Sequence, residues 1–278
     1  MIPAKFKYMR PKTLSKAMML LSQHGEKAAI LAGGHSLLTQ LKHRKRRVDV
    51  VVDLASIGLD KVVVHNDLLE IGAMAKQRDV AVETLDTQWK LLSEIASVAA
   101  DPMIRNRGTL VGALCALEHG GDWVPAALAL DAQISILDDE HEKSFLYADL
   151  LESKTSFPPV GTIVTGVSFS APPSDAIIGY RKFKHSAIGW SVVSVAYSIS
   201  GSHVRIAVSG ALEKPARIRH LENHLAVNPD HLADTRHLNL IIEESLNSLS
   251  FRSDQFASSE YRRHRLKLML QEIVKYSL

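Results

Sequence analysis

Two hydrophobic periods alternate along the first quarter of the chain. Leu14, Ala17, Met18 and Leu21 recur at helical spacing and stop at Gly25, which predicts a helix over 14–24. The short apolar run 28–31 reads as a buried strand, residues 37–42 as the start of a second helix, and 48–53 as another buried strand. The opening segment of about 55 residues therefore predicts a small α/β unit. Two apolar runs, 62–64 and 68–71, flank His65-Asn66-Asp67, the composition of a hairpin turn. Helical spacing returns at 77–85 and 88–100, and Asp101-Pro102 is expected to end the second of these helices. An Ala/Leu-rich stretch runs from 125 to 132. Residues 133–137, 144–147 and 162–169 then read as strands, with Asp138-Asp139 as the turn between the first two.

Beyond Ala171-Pro172-Pro173-Ser174, which reads as a linker, the order of elements changes. Strand patterns at 180–184, 191–200 and 203–212 precede helical patterns near 217–226, 230–247 and 258–275. Strands followed by helices predict an α+β module whose three-stranded antiparallel sheet is covered on one face. The expected domains are 1–57, 58–175 and 176–278.

Composition narrows the chemistry. A hydrophobic content of 46% with 23% charged residues is that of a folded globular chain. The single cysteine, Cys115, excludes an internal disulfide and any cysteine-ligated zinc site or iron–sulfur cluster within this chain. It sits in an apolar stretch and reads as a small buried hydrophobe. A net charge of +3 does not demand a polyanionic partner. The basic run Lys42-His43-Arg44-Lys45-Arg46-Arg47 has no aromatic residue nearby for stacking on bases, and reads as a solvated or partner-facing loop. Thirteen histidines include no His-Glu-x-x-His motif, and His220 and His224 read as an exposed helix face. No catalytic residue and no metal site is expected. Charges in the opening segment and the lack of a long apolar run predict a cytoplasmic protein without a transmembrane segment.

Two glycine segments stand out. A strand running into Gly33-Gly34-His35-Ser36 and then a helix suits an anion, because glycine lets backbone N–H groups turn toward it. The alternative is a tight turn and nothing more, with Ser36 capping the helix. Gly108-Thr109-Leu110-Val111-Gly112 is a second turn-prone segment about 75 residues away. Together the two suggest a grip on the two ends of an extended dinucleotide. Asp122 either accepts from such a ligand or caps the helix before Pro125.

Taken in order, Ala32-Gly-Gly-His-Ser-Leu-Leu38, Ile104-Arg-Asn-Arg-Gly-Thr-Leu-Val-Gly112, Asp122 and Pro125-Ala-Ala-Leu-Ala-Leu-Asp-Ala132 resemble the FAD-binding medium subunit of molybdenum hydroxylases. Phe6-Lys-Tyr-Met-Arg-Pro11, Lys214-Pro-Ala-Arg217 and the stretch 251–264 extend the likeness over essentially the whole chain. The resemblance implies a two-part FAD domain of the vanillyl-alcohol-type flavoprotein class plus a C-terminal α+β domain. It implies that Ala32, Gly33, Gly34, His35 and Ser36, with Thr109, Leu110, Val111, Gly112 and Ala113, hold the FAD pyrophosphate. Asp122 then lies toward the ribityl and phosphate side, the backbone at Ile163 approaches the flavin, Lys184 is near it, and Trp190 covers the ring. It further implies partner subunits: a large one with the molybdopterin cofactor and a small one with [2Fe–2S] clusters, assembled as a dimer of heterotrimers, with no nucleic acid. The implied function is electron transfer from those clusters through FAD to an external acceptor. The alternatives are a self-contained flavin oxidoreductase and a non-catalytic assembly subunit that has lost FAD. The chain departs from the family pattern at Val111 and Ala113, where glycine and a polar residue are usual, and at Thr39, Glu118 and Gly189. Val111 is expected to disfavour the positive φ of a phosphate-binding turn.

Overall fold

The computed structural model describes residues 2–139, 141–153, 157–185, 189–227 and 235–277. In its first part β1 (Lys7–Met9), α1 (Leu14–His24), β2 (Ala28–Leu31), α2 (Leu37–Lys42) and β3 (Val50–Asp53) form a parallel sheet of order β1-β3-β2. Thr13 caps α1 by accepting from the Lys16 amide at 3.2 Å, and Gly25, at φ +51°, ends it. α1 lays Ala17, Met18 and Leu21 against Val50 and Val52, while Leu41 of α2 joins Ala29 and Val51 on the opposite face. A sheet covered on both faces explains why its strands read as unbroken apolar runs. The last strand begins at Val50, and Val48 packs with Leu41 ahead of the first pair.

The middle part threads β4 (Val62–Val64), β5 (Leu68–Gly72), α3 (Gln77–Glu83), α4 (Lys90–Val98), α5 (Pro102–Arg105), α6 (Leu110–Ala116), α7 (Trp123–Ala129), β6 (Gln133–Leu137), β7 (Glu142–Leu146), α8 (Tyr147–Glu152) and β8 (Ile163–Ser170). The strands pair antiparallel in the order β4-β5-β8-β6-β7. Leu69, Ile71, Ile134, Val167 and Phe169 on one face form the largest core with α3, α4, α6 and α7. Two local readings change. Asp101 opens a new helix instead of ending the previous one: it accepts from the Ile104 amide at 2.9 Å, with Pro102 at the first helical position. Residues 110–112 are helical and not a turn, because Thr109 caps α6 through the Gly112 amide at 3.0 Å.

The last part contains β9 (Ile177–Lys184), β10 (Ser191–Ser200), β11 (His203–Ser209), β12 (Ala216–Arg217), α9 (Arg219–Val227), α10 (Thr235–Asn247) and α11 (Ser259–Ser277). The α+β expectation holds, with a fourth short strand added in the order β12-β11-β10-β9. Residues 230–234, the expected start of the second helix, lie outside the described residues. The expectation of one covered face is corrected. Val193, Val195, Tyr197 and Ile199 pack against α9, α10 and α11, whereas Ala196 and Ala207 join the core under α7. Ser194, Ala196 and Ser198 alternate on the face toward α7, and their small size lets that helix pack directly on β10 and β11. A polar tie reinforces the seam: Asp131 accepts from Arg205 at 2.7 Å and Arg217 at 3.1 Å, and Arg217 also pairs with buried Glu222 at 2.7 Å.

Candidate functional site

The turn from β2 to α2 is built by its glycines. Gly34 has φ +88°, which an L side chain rarely adopts. A Cβ on Gly33 would stand 2.5 Å from the Arg107 carbonyl oxygen and 2.6 Å from the Gly108 Cα. The two glycine segments are therefore in contact, correcting the picture of two separate grips on a ligand's ends. A Cβ on Gly108 would lie 3.5 Å from the His35 ring and 3.2 Å from the Gln77 amide nitrogen. One on Gly112 would lie 3.8 Å from Ala32. Gln77 holds the second segment by donating its backbone amide to the Gly108 carbonyl at 2.9 Å.

Among the described residues, the backbone amides of Gly33, Gly34, His35 and Ser36 donate to no protein acceptor. Four successive unused N–H groups in a glycine turn are an anion-binding arrangement. The Ser36 hydroxyl makes no capping bond, which removes the capping alternative. Thr109, Leu110 and Val111 are buried, Gly112 is bonded to Thr109, and Ala113 continues the helix. Val111 is helical and packs into the main core, so its side chain does not obstruct the turn. The expected conflict with positive φ does not arise.

Asp122 is buried at the start of α7 and makes no side-chain cap. Its carboxylate instead accepts from the Tyr180 hydroxyl at 2.5 Å, the Ser191 hydroxyl at 3.0 Å and the Lys182 ammonium at 3.0 Å. Lys182 also reaches the Val98 carbonyl at 3.2 Å. Burial, followed by the charge of Asp122, pushes the Tyr180 hydroxyl well above its ordinary pKa, so it stays a donor. Sequence reasoning missed Tyr180, Lys182, Ser191 and Gln77. Tyr180 and Lys182 share one face of a strand, a period-two signal, but their carboxylate lies 58 residues upstream in a different part of the fold.

Trp190 precedes β10 and is 60% exposed, which excludes the alternative that it packs between sheet and helix. Its Cβ lies 2.9 Å from where a Cβ on Gly120 would be, and the Ser191 amide donates to the Gly120 carbonyl at 3.4 Å. The loop leading to Asp122 thus rests on the base of Trp190. Lys184 ends β9 opposite Ser191, two residues beyond Lys182 and on the same strand face. The Ile163 side chain is fully buried with Val52 and Leu54, so any contact it makes with a ligand is through its backbone.

Among the described residues no group of three or more His, Cys, Asp or Glu is placed to hold a metal ion. His220 is exposed, as expected, and His224 is half-buried; the two reach α10 through Ser245 (3.0 Å) and His237 (3.2 Å). Burial pushes the Cys115 thiol up to about 12, too high for a thiolate nucleophile near neutrality.

The chain resembles proteins of known function. Residues 4–171 match the model of a family described as the FAD binding domain in molybdopterin dehydrogenase. The chain is 30% identical over 218 residues to the carbon monoxide dehydrogenase medium chain of Hydrogenophaga pseudoflava, covering 75% of this chain and 76% of that one. It is 29% identical over 286 residues to the nicotine 6-hydroxylase medium subunit of Paenarthrobacter nicotinovorans, covering 100% and 97%. A solved structure of the Hydrogenophaga pseudoflava carbon monoxide dehydrogenase superposes with TM-score 0.89 at 24% identity, covering 100% of this chain and 98% of that chain, a likeness of fold.

Proposed function

The chain belongs to the family of FAD-binding domains of molybdopterin dehydrogenases, and from that premise we propose how its residues serve a flavin-carrying subunit. It is the medium, electron-transferring subunit of a multi-subunit molybdenum hydroxylase, an oxidoreductase that works with a large molybdopterin-binding subunit and a small [2Fe–2S] subunit. One observation carries the site: four unused backbone amides in the 33–36 turn, held in place by the 107–109 backbone. They fit FAD, whose pyrophosphate needs N–H donors brought close without intervening side chains. When bound, FAD supplies one- and two-electron redox chemistry that no side chain here offers.

The protein's part is to bind, orient and cover. Ala32, Gly33, Gly34, His35 and Ser36 receive the pyrophosphate. Thr109, Leu110, Val111, Gly112 and Ala113 form the wall that keeps that turn open, with free amides at Thr109 and Val111. Asp122, held by Tyr180, Lys182 and Ser191, fixes the loop below Trp190 on the ribityl side. Lys184 and Trp190 flank the ring, the indole being exposed enough to lie over it. Ile163 contributes its backbone. Residues 1–57, 58–175 and 176–278 act as two cofactor-binding parts and a capping domain. The single cysteine leaves the [2Fe–2S] clusters to the partner.

The alternative of a FAD-free assembly subunit rested on Val111 and Ala113, and neither blocks the turn. The alternative of a self-contained flavin oxidoreductase is disfavoured because the relatives are named as medium subunits of multi-subunit enzymes. We further propose a cytoplasmic location and a dimer of heterotrimers, both carried by the family relationship alone. No helix among the described residues is long and apolar enough to cross a membrane. Purification through a tag on this chain tests the assignment. The expected eluate contains three polypeptides, flavin, molybdenum and iron; a lone chain without flavin contradicts it.

A further inference from the structure

The charge of this chain is unevenly distributed. Residues 1–55 contain eleven Lys and Arg against three Asp and Glu, and the remaining 223 residues contain 22 against 27. The basic end is concentrated in Lys42, His43, Arg44, Lys45, Arg46 and Arg47, which leave the C-terminus of α2 and are all exposed. Among the described residues none of these five Lys and Arg side chains meets a carboxylate. The nearby acids are engaged elsewhere: Asp49 pairs with Lys27 at 3.8 Å, and Asp53 accepts from the Tyr8 hydroxyl and the Ala55 amide. The negative end of a six-residue helix uses one or two cations, not five. Five adjacent uncompensated charges repel one another, and an anionic surface relieves that repulsion.

The run is also fastened. Arg44, at φ +56°, donates its Nε to the Ile2 carbonyl at 3.4 Å, and the Lys7 amide donates to the Asp49 carbonyl at 2.8 Å. The loop and the N-terminal strand therefore form one surface. On it, Ile2 is 80% exposed, Tyr8 and Met9 are exposed on β1, and Lys5, Lys7, Arg10 and Lys12 add further charge. Protruding apolar side chains among cations distinguish the kinds of polyanion. Reading nucleic acid takes a helix long enough for a groove or aromatics that stack on bases; α2 has six residues, none of residues 37–47 is aromatic, and the one exposed aromatic of the N-terminal strand, Tyr8, is tied through its hydroxyl to Asp53. Cations that meet lipid phosphates while apolar tips enter the headgroup layer suit a bilayer.

We propose that the 42–47 loop and the adjoining N-terminal strand are a docking surface for an anionic lipid bilayer. The inference does not depend on the flavin assignment, and its test has no redox readout. The purified complex is sedimented with phosphatidylcholine vesicles with or without about 30% phosphatidylglycerol, at about 0.1 M and about 0.5 M salt. The expected result is binding to the anionic vesicles only, released by the higher salt. A variant with Arg44, Lys45, Arg46 and Arg47 each replaced by Ser should bind more than about tenfold more weakly, with flavin content and subunit composition unchanged. If that variant is not recovered as a complex, the single reversals Lys45→Glu and Arg46→Glu carry the same comparison. Equal binding by variant and wild type, no binding at low salt, or tighter binding to duplex DNA than to vesicles would each overturn the proposal. So would loss of a partner subunit in the single reversals, which would make the patch a subunit interface.

Discussion

Three places in the site carry separable predictions. Gly33 has no room for a side chain because the Arg107 carbonyl and Gly108 lie against it. Gly33→Val should therefore both lose FAD and destabilise the fold by about 1–3 kcal/mol through overpacking. Flavin content and a denaturant midpoint read the two effects, and full flavin retention at unchanged stability would contradict the observed contact. Asp122 and Lys182 form a buried pair, so removing one partner strands the other charge. Lys182→Met should cost about 3–5 kcal/mol, and adding Asp122→Asn should recover part of that loss, as measured by chemical unfolding. Trp190 is exposed, so Trp190→Ala should change thermal stability little. Bound-flavin fluorescence should rise and the reoxidation rate change, whereas unaltered fluorescence would remove the indole from the cofactor.

At the scale of elements, one arginine organises the seam beneath Trp190. Arg262 of α11 is buried and donates to the Val192 and Gly210 carbonyls at 2.8 and 2.7 Å, while its other nitrogen pairs with Asp254 at 2.6 Å. Gly210 in turn donates to the His119 carbonyl at 2.6 Å, which brings the loop before Asp122 onto the sheet. Burial opposes ionisation of Asp254, but bonds from Arg252, the Phe256 amide and Arg262 outweigh it and hold the carboxyl well below the usual range. A depressed folded value means that this stabilisation is fully present above the unfolded pKa of about 3.9 and is lost as pH falls through it toward the folded value. Unfolding midpoints for wild type and Asp254→Asn should differ near pH 7 and converge on acidification below about pH 4; a difference independent of pH would contradict the pairing. Elements with a clear period were legible: 14–24, 28–31, 133–137 and 191–200 are in register with the structure. What was not legible depends on long-range contact. The contact of Gly33 with Gly108 and the Tyr180–Asp122 bond join distant segments, and β12, two residues long, has no period of its own. The segment around Thr109 has the composition of a glycine-rich turn, but it opens a helix because the Thr109 capping bond outweighs the turn propensity of Gly108 and Gly112.

At the scale of the molecule, a parallel sheet, an antiparallel sheet and a C-terminal sheet covered on both faces meet around two glycine segments and one buried carboxylate. The resemblance carried by those short motifs named the cofactor, and the structure brings the two segments into contact, the Arg107 and Gly108 backbone against Gly33 beside the unused 33–36 amides. A turn that holds FAD through backbone amides forms no covalent link to it, so the central expectation is FAD that leaves when the chain unfolds. Acid precipitation of the purified protein, followed by chromatography of the supernatant, tests this most directly. The predicted result is free FAD in a one-to-one ratio with the chain. Recovery of FMN, flavin that stays with the precipitate, or a colourless chain that takes up no FAD on incubation would contradict it.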